Sequence, residues 1–202
     1  MTYDEGYIKF NCKWIKAKPI PLSRIKELNK WRDKLYKLGL IGVYEDGIGF
    51  GNLSTRIKNT NKFIVSGTQT GGLKKLTGKH YTEVIQGNFQ KNSLVCKGPI
   101  KASSESLTHL SIYQVDPNIA AVIHVHHPKY WKKLLNRVPT TDKNVPYGTP
   151  EMADEVQRLF KETNVKKERV FVMAGHEEGI IAFGETLTKA GRVLSAAIKA
   201  IN

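Results

Sequence analysis

No apolar run in this 202-residue sequence approaches the roughly 18–20 residues needed to cross a bilayer, so no membrane-spanning helix is expected. The opening MTYDEGYIKFNCKW is broken by charge and lacks the apolar stretch of a secretory leader, which makes the cytoplasm the expected compartment. Cysteine is scarce. Cys12 and Cys96 lie far apart with no CxxC spacing, which excludes a multi-bridge framework and a cysteine-based zinc motif. Both are expected as reduced thiols, although spacing leaves a single bridge open. Repeats, low-complexity tracts and linkers are absent too, so one domain over 1–202 is expected, long enough to bury a core unaided. Acidic residues are few: 18 Asp and Glu face 32 Lys and Arg, a net charge of +14. The excess is spread from Lys13 and Lys16 to Lys166 and Lys167, and Lys far outnumbers Arg. It reads as a solvated surface, because bidentate reading of phosphate belongs to arginine. Neither nucleic acid nor a membrane is expected as a partner.

What is present reads as interleaved strands and helices. An alternating stretch over 7–14 predicts an edge strand, broken by Pro19 and Pro21. Ser23 is the expected cap of a helix carrying Ile25, Leu28, Trp31, Leu35 and Leu38, with Gly39 as its stop. Residues 42–51 are glycine-rich and lead into GFGNLSTRI, read as a loop; 63–65 predict a buried strand, and SGTQTGG another loop. Weak strands are expected over 81–85 and 94–96, on either side of a turn at Gly87 and Asn88. Ser104 is placed as the cap of a short helix with Leu107, Leu110 and Tyr113. Residues 121–126 form a β-branched strand, and Pro128 opens a helix behind it. Thr149-Pro150-Glu151 is a strong helix start, with cap, N1 proline and first-turn acid. Two strands, 170–173 and 179–183, precede a final helix with Leu187, Ala190, Val193, Leu194, Ala197, Ile198 and Ile201 on one face. The alternation argues a layered α/β fold.

The chemistry concentrates in AAVIHVHHP. Side chains two apart on a strand share a face, so His124 and His126 project together, their roots ~7 Å apart, while His127 points away. Two imidazoles on a rigid strand can converge on one metal ion, and a catalytic zinc takes three protein ligands with one position left open. His176, at the end of an apolar strand in MAGHEEGIIAFG, is the best third ligand. His109, one turn beyond Glu105, is a lesser candidate, and His80 reads as a surface residue. Glu105 in SSESLTH sits at a helix N-terminus, where the dipole favours carboxylates and other anions. GFGNLSTR and SGTQTGG offer hydroxyls and close backbone approach suited to phosphate, without matching a P-loop or dinucleotide fingerprint.

Taken in order, GNLSTR, SGTQTGGL, SSESLTH, VIHVHHP, YGTPEMADEV and MAGHEEGIIAFGETLTKA resemble the class II aldolase and adducin head-domain family, over about residues 31–193. The resemblance implies an α/β fold, a three-layer α/β/α domain around a largely antiparallel central sheet, and a homotetramer with active sites between subunits. It implies His124, His126 and His176 as ligands of Zn2+ or another divalent metal, and Glu105 as the catalytic acid/base. Gly51, Asn52, Ser66, Gly67, Ser103 and Ser104 would line a phosphate pocket. The implied activity is a lyase of the aldolase type, making or breaking a C–C bond in a small phosphorylated sugar or hydroxy-ketone through an enediolate. An epimerase or dehydratase would use the same metal site; a non-catalytic adducin-like module that binds protein partners is the alternative of another class, and adducin heads lack the metal ligands. Three departures bear on the reaction more than on the metal. Glu177 and Glu178 intervene between His176 and Gly179, where they could tune the metal, bind it or shape a wider turn; segment 139–147 is short, and no tyrosine follows Tyr147.

Overall fold

The computed structural model describes residues 6–58 and 60–201, so the first five residues of the stretch read for a leader lie outside the described residues. Strand β1 (Asn11–Lys16) starts later than the alternation suggested, behind the buried Phe10. Helix α1 (Leu22–Lys37) buries Ile25, Leu28, Trp31 and Leu35 as its spacing predicts. Ser23 does not cap it. Pro21 occupies the cap position with extended backbone, because its ring fixes φ and it has no N–H to satisfy. Gly39, in the left-handed region at φ +69°, follows the helix, while Leu38 remains exposed. The glycine-rich passage forms a small hairpin, β2 (Gly42–Val43) with β3 (Gly49–Phe50), and GNLSTR is strand β4 (Asn52–Arg56) rather than loop.

The chain continues through β5 (Phe63–Ser66), β6 (Tyr81–Asn88), β7 (Ser93–Gly98), α2 (Ser106–Val115), β8 (Ala121–His126) and α3 (Pro128–Leu134). Strand β6 runs through Gly87 and Asn88, so that turn lies further on, at 89–92. Then come α4 (Pro150–Glu162), the short α5 (Val165–Glu168), β9 (Val170–Val172), β10 (Gly179–Gly184) and α6 (Leu187–Lys199). Thr149 caps α4 by accepting the Met152 N–H, as its sequence indicates. Among the described residues eight strands form one sheet in the order β1-β7-β6-β5-β4-β8-β10-β9. Every neighbouring pair is antiparallel except β1 with β7. That parallel pairing brings Cys12 Sγ to 3.6 Å from Cys96 Sγ, with both thiols free.

Two cores flank the sheet. Helices α2 and α4 cover one face through Leu107, Leu110, Val156 and Phe160; α1 and α6 cover the other through Ile25, Trp31, Leu187 and Leu194. The result is the expected three-layer α/β/α arrangement. No helix among the described residues is long and apolar enough to cross a membrane. The second core is tight where α6 crosses α1: a Cβ on Gly191 would stand 2.1 Å from Trp31 Cζ3. Gly191→Ala gains about 1 kcal/mol of helix propensity but overpacks against a large ring, at about 1–3 kcal/mol. The expected net result is a thermal midpoint lowered by about 2–4 °C, read by circular dichroism. An unchanged midpoint would mean that the Trp31 ring moves aside freely.

Candidate metal centre

Strand β8 runs between β4 and β10, with Asn52 and Ile181 as the register partners of His124. Its alternation sends Ala121, Ile123 and Val125 into the α1/α6 core and Val122, His124 and His126 toward the α2 layer. His176 comes from the turn before β10, whose first residue, Gly179, pairs with His126. The three histidines are buried, and their candidate ligand atoms all lie within 4.8 Å of one another. His124 Nε2 and His126 Nε2 are 3.1 Å apart. Two nitrogens on a tetrahedral zinc, each ~2.05 Å from it, would stand about 3.3 Å apart, so the donor set fits such an ion. Burial, then the charges of His176 and His124, push the His126 imidazolium well below its usual range and leave the neutral ring that ligation requires. Gly179 makes room for this approach: a Cβ there would lie 3.2 Å from His176 Nδ1 and 3.3 Å from His124 Nε2. The Asn52 amide stands 3.3 Å from His124 Nδ1, and its Oδ1 has no hydrogen-bond partner among the described residues. With Nε2 on a metal, Nδ1 carries the proton, and the Asn52 amide then has to turn its Oδ1, the acceptor end, to meet it.

Glu105 is the N-cap residue of α2, displacing Ser104 from that expected role, yet its side chain makes no capping bond. The carboxylate points instead into the centre, fully buried, with Oε1 3.3 Å from His176 Nδ1. Burial pushes its pKa up, but the contact with His176 and the nearby His124 outweigh that and hold it at about 2. Among the described residues neither carboxylate oxygen has a well-directed hydrogen bond, so its acceptor lone pairs are unspent.

The other histidines go elsewhere. His109 is outside the cluster: its Nδ1 pairs with Ser54 Oγ at 2.7 Å, and Ser54 also meets Tyr113 Oη at 2.7 Å. Burial first, then the charge of His124, lowers its pKa to about 3. His127 caps α3 through the Tyr130 N–H, and His80 closes a capping box with Thr77. Of the six residues read as phosphate-binding, Gly51, Asn52, Gly67, Ser103 and Ser104 line one polar pocket. Ser66 lies outside it, turned back to accept the Leu53 N–H, because its position on β5 faces the sheet. A bridge between Gly67 and Ala102 brings the two loops together. Buried Arg32 on α1 pins the first of them, donating to the carbonyls of Thr70, Gly71 and Lys74. Two residues at the centre, Tyr44 and Tyr147, escaped the sequence reading of the metal set. Tyr147 stacks on His176 at 4.3 Å, and Tyr44 Oη bridges His126 and Glu178. Only the two extra acids after His176 gave a local signal.

The family model for the class II aldolase and adducin N-terminal domain matches residues 44–201. Among solved structures the chain is similar to an L-fuculose 1-phosphate aldolase, with a TM-score of 0.67 and 21% identity, covering 90% of this chain and 86% of that one. It is also similar to YgbL from Escherichia coli, with a TM-score of 0.64 and 20% identity over 89% and 88% of the two chains. A sugar-phosphate aldolase from Thermotoga maritima gives a TM-score of 0.65 at 17% identity, over 89% and 92%. At these identities the likeness to solved structures is one of fold. No curated protein matches the sequence.

Proposed function

The chain belongs to the class II aldolase and adducin N-terminal domain family, and from that premise we propose that it is a zinc-dependent lyase of the aldolase type. It acts on a small phosphorylated sugar or related hydroxy-ketone, making or breaking a C–C bond through an enediolate. The observation that carries this reading is Glu105: a wholly buried carboxylate with unspent acceptor capacity beside three converging imidazoles. His124, His126 and His176 would hold the metal, which supplies Lewis-acid stabilisation of charge growing on a substrate oxygen. Glu105 moves the proton between substrate carbon or hydroxyl and the protein. The dry setting around it keeps water from competing for that proton. Assembly as a homotetramer with sites between subunits belongs to the same proposal. An adducin-like binding module has no use for this constellation. The deciding experiment incubates zinc-loaded protein with triose, tetrose and pentose phosphates and identifies products. Paired aldehyde and ketone fragments support the lyase; an inverted stereocentre or loss of water instead would reassign the same site to epimerase or dehydratase chemistry.

The phosphate end is tested separately. Ser103 and Ser104 precede α2, whose first N–H groups favour an anion. A charge-assisted hydrogen bond there contributes about 1.5–3 kcal/mol, so Ser104→Ala is expected to weaken phosphate binding roughly ten- to a hundredfold. Inorganic phosphate should compete with substrate in the parent protein and less so in the variant, with metal content unchanged. Equal reaction of phosphorylated and plain sugars would show that the polar pocket is no phosphate site.

A further inference from the structure

We propose that Tyr44 and Glu178 form a carboxylate–phenol–imidazole relay that positions His126 as a metal ligand; this rests on the metal reading of the three histidines. His126 turns Nε2 toward His124 Nε2, 3.1 Å away, so its other nitrogen, Nδ1, holds the ring proton when the ring ligates. Tyr44 Oη lies 2.9 Å from that Nδ1 and 2.9 Å from Glu178 Oε2. An ionised carboxylate only accepts, which sets the direction of the chain. Tyr44 O–H donates to Glu178, and His126 Nδ1–H donates to Tyr44 Oη. The negative charge thus reaches the imidazole through a phenol, fixing its tautomer and making Nε2 a better donor to metal.

Both ends are held for this purpose. Tyr44 follows β2 in the hairpin, where its N–H bonds to the Ile48 carbonyl and its ring lies 4.5 Å from that of Phe50. Glu178 adopts φ +69°, a left-handed conformation that strains any residue with a Cβ and costs glycine nothing. Its backbone carbonyl accepts the His127 N–H, a bond that glycine would make equally well. The side chain is therefore what the strained position retains, and that side chain is buried against Tyr44.

The test titrates Zn2+ into the metal-free full chain against a chromophoric chelator and records the melting temperature of each metal-free protein. Tyr44→Phe and Glu178→Gly are each expected to weaken zinc about 10- to 100-fold, and the double variant to lose no more than either alone. Glu178→Gln keeps an acceptor for the phenol and should recover part of the loss. Metal-free Glu178→Gly should melt no lower than the parent, because relief of strain accompanies the lost contact; a merely structural role would lower stability and affinity together. Unchanged affinity in Tyr44→Phe overturns the relay, as does a collapse confined to the Glu178 variants, which would make Glu178 a direct ligand. His124→Ala is the control: if it binds zinc like the parent, the metal reading itself has failed rather than the relay.

Discussion

Bound metal close to one ion per chain is expected to fall to almost none when His124 is replaced by alanine. His124 is one of the three converging imidazoles, with Nε2 3.1 Å from that of His126 and its ring 5.2 Å from that of His176. A three-histidine site has no spare ligand, so the variant keeps only two. Structural zinc sites with four ligands bind with roughly 10–16 kcal/mol, so one ligand carries on the order of 3 kcal/mol, or more than a hundredfold in affinity. Dialysis against a weak chelator followed by elemental analysis makes that difference visible as near-complete loss. The fold is expected to survive, since both backbone neighbours of β8 remain paired with it at Asn52 and Ile181. Near-stoichiometric metal in a folded variant would mean that the ligands are wrongly assigned.

That site was legible because period-two alternation needs no tertiary knowledge: AVIHVH reads as a strand, and a strand aligns His124 with His126. The helix that starts at Thr149-Pro150 was equally readable from its cap chemistry and apolar face, and the last helix from its apolar face alone. Strand β4 was hidden because Asn52, Ser54, Thr55 and Arg56 are polar. Their polarity is paid for by partners remote in sequence, such as His109 and Tyr113 for Ser54 and the Ile119 carbonyl for Arg56. Pairing of Tyr44 with Glu178 spans 134 positions and leaves no periodic trace. The residues of the polar pocket were nameable singly, but which of them meet there depended on strand phase, which Ser66 shows by turning back to the Leu53 N–H. Sequence patterning thus locates groups on elements, whereas the second partner of each group is set by how the layers close.

Glu105→Gln is expected to lower turnover by about 100- to 10,000-fold while leaving metal content and melting temperature near those of the parent. Glutamine matches the volume of glutamate, and the buried site therefore gains no cavity. Helix α2 loses nothing at its start, because the Glu105 side chain makes no capping hydrogen bond there. What disappears is the buried carboxylate beside His176, the group proposed to carry the transferred proton. The effect should fall equally on kcat and kcat/KM, since the proton is shared only in the transition state, and KM should change little. A matching fall in affinity would instead mean that Glu105 binds the ground state. The alternative bases fit poorly: Glu178 is engaged by Tyr44, and Glu177 is exposed on the far side of the turn's burial pattern. Steady-state kinetics on zinc-loaded protein, with the substrate found by the product screen, decides the matter. Turnover within a factor of a few of the parent would remove Glu105 from the chemistry and leave it as a buried counter-charge to His176.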